Sequence, residues 1–296
     1  MKKAVAIIGA GPAGLSASIQ LSRSGVSHYL FERSQPGGLL RNGNLIGNYT
    51  GVYPPLSGSS LIRKMMDHFH SFSQEITNST VAAVRYITDP DGFELAAGGS
   101  VFRSDFIIAA SGTKPVKSRT GSGVSHRLSE FILYDIAALS GLSGKQVLIV
   151  GGGDCAFDYS LTLAKSNHVE ILNRTEKIKA IKVLREKVLG GKKIKYRPGT
   201  EILEITGGDQ KPVKVKVTTG DAVSYQECDI IVFAIGRTPD DSYLSGIEPG
   251  VLQDLVKKGR IIYAGDIKNN GYRQAVIAAG NGIEAAMKIT ADIQGV

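Results

Sequence analysis

The 296-residue sequence contains no tryptophan and only two cysteines, Cys155 and Cys228, which lie far apart and form no CxxC pair. That scarcity excludes a disulfide-stapled scaffold and a cysteine-built metal site. The five histidines (28, 68, 70, 126 and 168) show no ligand spacing either. His68 and His70, two residues apart, would point to different faces of a helix, and no structural metal is expected. Long apolar runs are also missing. The longest, VLIV (147–150) and DIIVFAIG (229–236), are strand-length, against the roughly 20 residues that a membrane-spanning helix needs. The opening MKKAVAIIGAGPAG pairs two lysines with a short apolar stretch, as a signal peptide does. The glycine pattern running through it makes a first strand the better reading. These absences predict a cytoplasmic protein with no membrane partner.

Glycine is plentiful, at 36 residues, which predicts several close approaches of backbone to ligand. The length suffices for two modest domains, and 42% hydrophobic with 21% charged residues describes a globular chain. The formal charge of +8 is concentrated. Residues 174–197 carry ten Lys or Arg against two acids, Glu176 and Glu186, a surplus equal to the net charge of the whole chain. A nucleic-acid footprint would need a stacking platform or a recognised binding module beside that window, and the sequence has neither. A phosphate-bearing cofactor or an acidic protein partner fits the window better, and a solvated helix face accounts for part of it.

Two segments share one pattern. KAVAIIGAGPAGLSASIQLSRSGVSHYLFERS (3–34) reads as strand, tight turn, helix and strand, with Gly9, Gly11 and Gly14 as a GxGxxG and Glu32 closing the second strand. Gly9 permits the turn, Gly11 lets backbone approach a pyrophosphate, and Gly14 lets the helix pack on the strand. The helix N-terminus offers N–H groups and a positive dipole end to that pyrophosphate. Glu32, eighteen residues beyond Gly14, is placed to accept hydrogen bonds from a ribose diol. The pattern recurs at KQVLIVGGGDCAFDYSLTLAKSNHVEILNRTEK (145–177), where Gly151, Gly153 and Ala156 fill the small positions. Here the second strand ends in Asn173 and Arg174, with Lys177 and Lys179 close behind. A carboxylate at that point repels a 2′-phosphate, whereas Arg and Lys attract one, so NADPH is favoured and NADH stays open.

In these residues the chain resembles the thioredoxin-reductase-like branch (class II type) of the pyridine nucleotide-disulfide oxidoreductases over nearly its whole length. GAGPAG resembles that family's FAD loop, and QPGGLL (35–40) its GGQL segment, with Leu39 where glutamine is usual. FIIAASGTKP (106–115) and DIIVFAIGRTPD (229–240) resemble its two crossover strands, GGGDCAFD its NADPH loop, and IYAGDIKNNGYRQAVIAAGNGIEAA (262–286) its GD and YRQA motifs. The resemblance implies an α/β fold of two Rossmann-like dinucleotide-binding domains, each a three-layer ββα unit. It implies a discontinuous FAD domain over 1–113 and 242–296, with an NAD(P)H domain inserted at 114–241. FAD contacts then fall to Gly9, Gly11, Pro12, Ala13, Gly14, Glu32 and Arg33; to Gly38, Leu39, Leu40 and Gly112; and to Asp266, Arg273, Gln274 and Ala275. Contacts to the nicotinamide nucleotide fall to Gly151, Gly153, Asp154, Cys155, Arg174 and Lys179. The family also implies a homodimer, and a last helix whose N-terminus directs positive potential at the flavin ring.

The chain departs from the family where the redox dithiol belongs. In GVSHRLSEF (123–131) the CxxC slots fall on Arg127, Leu128, Ser129 and Glu130, none of which supplies the thiolate that disulfide exchange requires. The family's HRRxxxR stretch reads NRTEKIK (173–179), and GGGDCAFDYSL is similar to the second loop of the thioredoxin-reductase-like ferredoxin–NADP reductases, which lack the dithiol. The expected activity is electron transfer from NAD(P)H through FAD to an external acceptor, a small molecule or a ferredoxin- or flavodoxin-like acidic protein, with no side chain as catalytic acid or base. The rival expectations are a partner-supplied dithiol, direct oxidation by oxygen, a different electron donor, or a flavoprotein sensor or regulatory subunit.

Overall fold

A computed structural model of the chain describes residues 2–122, 124–269 and 271–295. Gly123 at the start of GVSHRLSEF, Asn270 within the last motif, and the end residues Met1 and Val296 lie outside the described residues. The chain divides into two compact units. One comprises Met1–Arg41, Leu45–Lys114 and Thr238–Val296, the other Asn42–Asn44 and Pro115–Arg237.

The first unit begins with β1 (Lys2–Ile8), α1 (Pro12–Arg23) and β2 (His28–Glu32). Helix α2 (Gly58–His70) leads to β3 (Thr77–Asn78), and β4 (Val81–Thr88), β5 (Asp91–Ala97) and β6 (Ser100–Ala109) follow as a meander before β7 (Thr113–Pro115). The second unit carries two four-residue helices, α3 (Arg119–Ser122) and α4 (His126–Ser129), then β8 (Ile132–Leu133), β9 (Gln146–Val150), α5 (Asp154–Leu163) and β10 (His168–Leu172). After α6 (Lys182–Leu189) and β11 (Ile194–Arg197) come the antiparallel β12 (Thr200–Gly207), β13 (Val213–Thr219) and β14 (Ala222–Cys228), and then β15 (Ile230–Phe233). Strand β16 (Arg237–Pro239) returns the chain to the first unit, which ends with α7 (Pro249–Lys257), β17 (Ile261–Tyr263) and α8 (Ala275–Gln294).

The first unit's parallel strands run in the order β3-β2-β1-β6, and β17 pairs with the C-terminal half of β6 (Ile261 with Ile107). The N-terminal half of β6 pairs antiparallel with β5 (Phe93 with Ser104). Because side chains alternate along a strand, Val5 and Ile7 pack with Phe106 and Ile108 against α1 and α8. Ala6, Ile8, Ile107 and Ala109 pack on the opposite face with Phe93 and Leu95 of the meander. The second unit repeats the plan with parallel order β11-β10-β9-β15-β8 and the β12-β13-β14 meander. Val147 and Ile149 face Phe157 and Leu163 of α5, and Leu148 faces Val213, Val215 and Val217. Each unit is therefore a three-layer ββα sandwich, as expected for this fold class.

Helix α1 starts with proline at its first position, where no N–H is needed. It ends at Arg23, and Gly25, just past the Ser24 cap, has the φ of +69° that suits the left-handed residue after a helix.

The boundaries differ from the sequence reading. The second unit's main segment is Pro115–Arg237, with Lys114 and 238–241 in the first unit, and residues 42–44 group with the second unit though far from it in sequence. The Asn44 N–H donates to Asp158 Oδ2 (3.0 Å), Lys165 Nζ donates to Asn44 Oδ1 (2.7 Å), and the Ile136 N–H donates to Asn42 Oδ1 (3.2 Å). Polar side chains, which no hydrophobic period reveals, make that grouping. Burial raises the Asp158 carboxyl above its ordinary range, against the pull of the Asn44 N–H and the Lys165 charge.

Candidate dinucleotide sites

Each unit places a glycine turn between the central parallel strand and the helix that follows. In the first, Gly9 (φ +106°) donates its N–H to Phe31 O at 2.8 Å, and a Cβ there would stand 2.5 Å from Ala110 O. Gly11 is the extended N-cap of α1 with no side-chain cap, and nothing lies within 4 Å of its Cβ position. That open space over an uncapped helix N-terminus, with no acid in the first turn, fits a pyrophosphate. A Cβ on Gly14 would overlap the carbonyl oxygen of Gly9, so the third glycine is fixed by the turn packing on its own helix.

Some of the other residues named in the sequence reading pack against this turn or the helix that follows it. The Gly37 N–H donates to Ala10 O (2.8 Å), and a Cβ on Gly38 would lie 3.5 Å from the Gly11 Cα. Leu39 is half-buried in the short 3-10 helix Gly38–Asn42. Leu40 packs with Leu61, Ile62 and Ala275. Gln274 caps α8 and accepts from Asn48 Nδ2 at 2.6 Å. Gly265, beside Asp266, has φ +81° and would bring a Cβ to 2.9 Å from the Ala13 side chain. Gly282 of α8 lies against Ala13 O so closely that a Cβ would overlap it. Gly112 (φ +69°) is open and accepts the Asp240 N–H (3.1 Å), and Arg273 is half-buried just before α8.

Glu32 is buried, and both carboxylate oxygens are engaged. Oε2 accepts the Ala10 N–H at 2.9 Å, and Oε1 accepts the Ser34 N–H at 3.0 Å. Arg33 donates to Asp240 Oδ2 at 2.8 Å.

The second turn repeats the backbone geometry of the first. Gly151 (φ +146°) donates to Leu172 O (2.9 Å), and a Cβ would stand 2.5 Å from Ala234 O. Gly153 is the extended, uncapped N-cap of α5, with nothing within 4 Å of its Cβ position. Asp154 does not face outward alone: its Oδ1 accepts the Ile181 N–H at 2.8 Å. Lys179 N–H and Ala180 N–H donate to Gly152 O at 2.8 and 3.2 Å. Arg174, Lys177 and Lys179 are exposed, with no ion pair among the described residues. Cys155 is exposed, whereas Cys228 is fully buried and its thiol is pushed up to about 12, chiefly by burial.

Some participants are not site residues in the sequence reading. Gly37, Gly152 and Asp240 lie inside quoted motifs without a role of their own, Asn173 is a departure from the family pattern, and Tyr196 carries no motif signal. The expected dithiol position is α4, where His126, Arg127, Ser129 and Glu130 are exposed. Among the described residues, no group of three or more His, Cys, Asp or Glu could hold a metal ion, and no helix is long and apolar enough to cross a membrane.

Two ββα units, each with a glycine turn feeding a helix N-terminus, define a two-dinucleotide-domain α/β protein. The chain belongs to the pyridine nucleotide-disulphide oxidoreductase family, whose signature matches residues 3–282. It is 29% identical to the thioredoxin reductase of Rickettsia typhi, with 96% of each chain covered. It is 28% identical to that of Bacillus subtilis, covering 96% of this chain and 93% of that one. Among solved structures, Lactococcus lactis thioredoxin reductase in its FR conformation superposes with a TM-score of 0.85 at 24% identity, over 99% and 100% of the two chains. The bacillithiol disulfide reductase of Bacillus cereus gives 0.77 at 17%, over 99% and 100%. The expected family and fold are borne out.

Proposed function

We propose that the chain is an FAD-dependent oxidoreductase that takes electrons from NADPH and delivers them to an external acceptor without an internal redox disulfide. The observation that carries this reading is the contrast at the two strand ends. A carboxylate, Glu32, closes the first turn, while a neutral amide followed by uncommitted Arg174, Lys177 and Lys179 closes the second. The first suits a ribose diol and the second a 2′-phosphate.

Flavin, when bound, accepts a hydride from reduced nicotinamide and releases electrons singly or in pairs. The chain's own residues bind and orient. Gly11 and the first turn of α1 hold the pyrophosphate, Glu32 fixes the turn beneath the ribose, and Asp266, Arg273, Gln274 and Ala275 hold the flavin end. Gly151, Gly153 and the first turn of α5, with Asp154 and Cys155, receive the nicotinamide nucleotide, and Arg174 and Lys179 receive its phosphate. Only two cysteines exist in the chain, one of them buried, which supports direct transfer to the acceptor. Exposed Ile181, Val183 and Leu189 lie among the lysines and arginines of 174–197, a surface suited to a small acidic redox protein. By family analogy the chain works as a homodimer.

The test is anaerobic reduction of the purified flavoprotein by NADPH and NADH side by side, followed by acceptor trials. Faster flavin bleaching by NADPH, and reoxidation by a ferredoxin- or flavodoxin-type protein, are expected. No bleaching by either nucleotide defeats the donor assignment, and turnover of thioredoxin without a second protein defeats the acceptor assignment.

A further inference from the structure

Asn173 is 5% exposed, and all of its hydrogen-bonding groups are engaged. Its backbone N–H donates to Arg197 O (3.0 Å), and its carbonyl accepts from the Thr200 N–H (2.9 Å). Its Nδ2 donates to Tyr196 Oη at 2.9 Å and to Lys177 O at 3.2 Å, while Oδ1 faces the Thr175 N–H at 3.5 Å. One side chain thus ties both ends of the turn 173–177, with Thr175 Oγ1 adding a bond to Lys177 O at 3.3 Å. The amide also lies across the glycine turn, since a Cβ on Gly152 would meet its atoms at 2.6–2.8 Å.

Tyr196 completes the arrangement. Its ring packs on fully buried Phe157 of α5, with centroids 5.7 Å apart, which anchors the hydroxyl beneath Asn173. Further along, Gly152 O takes the Lys179 and Ala180 N–H groups, and Asp154 takes that of Ile181. The backbone from 173 to 181 is therefore pinned at intervals against the turn, while the side chains of Arg174, Lys177 and Lys179 are exposed.

We infer that Asn173, held by Tyr196, is a positioning residue that folds the 173–177 turn into a basic cradle for a 2′-phosphate, and that the pair sets the preference for NADPH over NADH. The inference rests on the reading that the second turn receives a nicotinamide dinucleotide. Neither residue donates to the phosphate itself: both Nδ2 hydrogens are taken, and Tyr196 acts through Asn173. Order in the cradle matters because a flexible basic turn must lose side-chain and backbone entropy on binding, and a pre-folded one loses less.

The experiment uses the flavin-loaded protein and two probes that differ by one phosphate, adenosine 2′,5′-bisphosphate and adenosine 5′-monophosphate, titrated calorimetrically. Tyr196→Phe removes one hydroxyl and keeps the ring on Phe157. Asn173→Ala removes both side-chain ties. For each variant the bisphosphate affinity is expected to fall at least tenfold while that of the monophosphate falls no more than about twofold, and the KM for NADPH should rise more than kcat falls. A general packing role would weaken both probes together, and that result, or an unchanged ratio in Tyr196→Phe, overturns the inference. A wild-type chain that binds the two probes equally removes the underlying NADPH reading as well. A wild-type preference that survives both substitutions overturns the positioning role alone.

Discussion

The two glycine turns share a backbone and diverge at the strand that follows each. Gly9 and Gly151 make the same left-handed turn, donate to equivalent strands at 2.8 and 2.9 Å, and pass equally near Ala110 O and Ala234 O. Gly11 and Gly153 leave the same open space over an uncapped helix. The brace differs. Glu32 is long enough to reach the Ala10 N–H and leaves the Ala10 side chain its room, whereas the shorter Asn173 lies on the turn and fills the space that a side chain at 152 would take. The arginines that follow are both exposed, but Arg33 pairs with Asp240, whereas Arg174 makes no ion pair among the described residues. On the proposed function, pyrophosphate binding is the common backbone task, and selectivity between nucleotides falls to the residue that closes the strand.

The comparison can be broken hardest at the third small position. Gly14→Ala drives a Cβ into the Gly9 carbonyl, and should cost about 3 kcal/mol or more, with flavin lost during purification. The equivalent Ala156 already carries a Cβ there and is fully buried, so Ala156→Gly should cost only about 1 kcal/mol, mostly helix propensity. Thermal unfolding of both variants, with flavin content measured on each, checks the asymmetry. Equal losses would show that the two turns pack alike at this position.

Next in size is the brace itself. Glu32→Ala strips the acceptor from the Ala10 and Ser34 N–H groups, and leaving the buried Ala10 amide unsatisfied should cost about 2 kcal/mol. Flavin affinity should fall with it, read by fluorescence on dilution. Glu32→Gln retains one acceptor oxygen and should recover part of the loss.

These differences also explain what was readable beforehand. GxGxxG spacing, the acid at Glu32 and the doubled strand-turn-helix pattern follow from backbone requirements that only glycine or a carboxylate meets, so they stand out in a single sequence. Leu40 and Ala275 were singled out by motif, and they meet in one cluster. Tyr196 carries no pattern signal, and Asp240, though inside the quoted 229–240 segment, shows no role there, because each acts on a site residue distant in sequence through side-chain bonds. The placement of 42–44 with the second unit escaped notice for the same reason.

A smaller effect sharpens the brace comparison from the other side. Gly152→Ala places a Cβ in the space of the Asn173 amide. Ala10 stands at the equivalent position of the first turn with its Cβ accommodated and fully buried. The substitution should cost about 1 kcal/mol by overpacking and displace Asn173, so NADPH binding should weaken more than flavin binding. Calorimetric titration with NADP⁺ beside a flavin-content assay separates the two; unchanged NADP⁺ affinity would mean that Asn173 moves without consequence.

The least expected effect concerns the residue after each helix start. Ala13 is buried beneath Gly265 and Gly282, while its counterpart Cys155 is exposed. Under native conditions one thiol per chain should react with a disulfide reagent, and Cys155→Ala should abolish that reaction without changing the fold. Cys228 should react only on unfolding, because a thiol pushed up to about 12 by burial is roughly one part in ten thousand thiolate at pH 8. The sign of its linkage follows. The folded state holds this proton above the ordinary thiol range, so the associated stability is present below about pH 8.5 and is lost as pH rises toward 12. Relative to Cys228→Ala, the wild-type protein should lose stability over that alkaline window, and a constant difference in unfolding free energy from pH 7 to 10 would show that the thiol titrates normally.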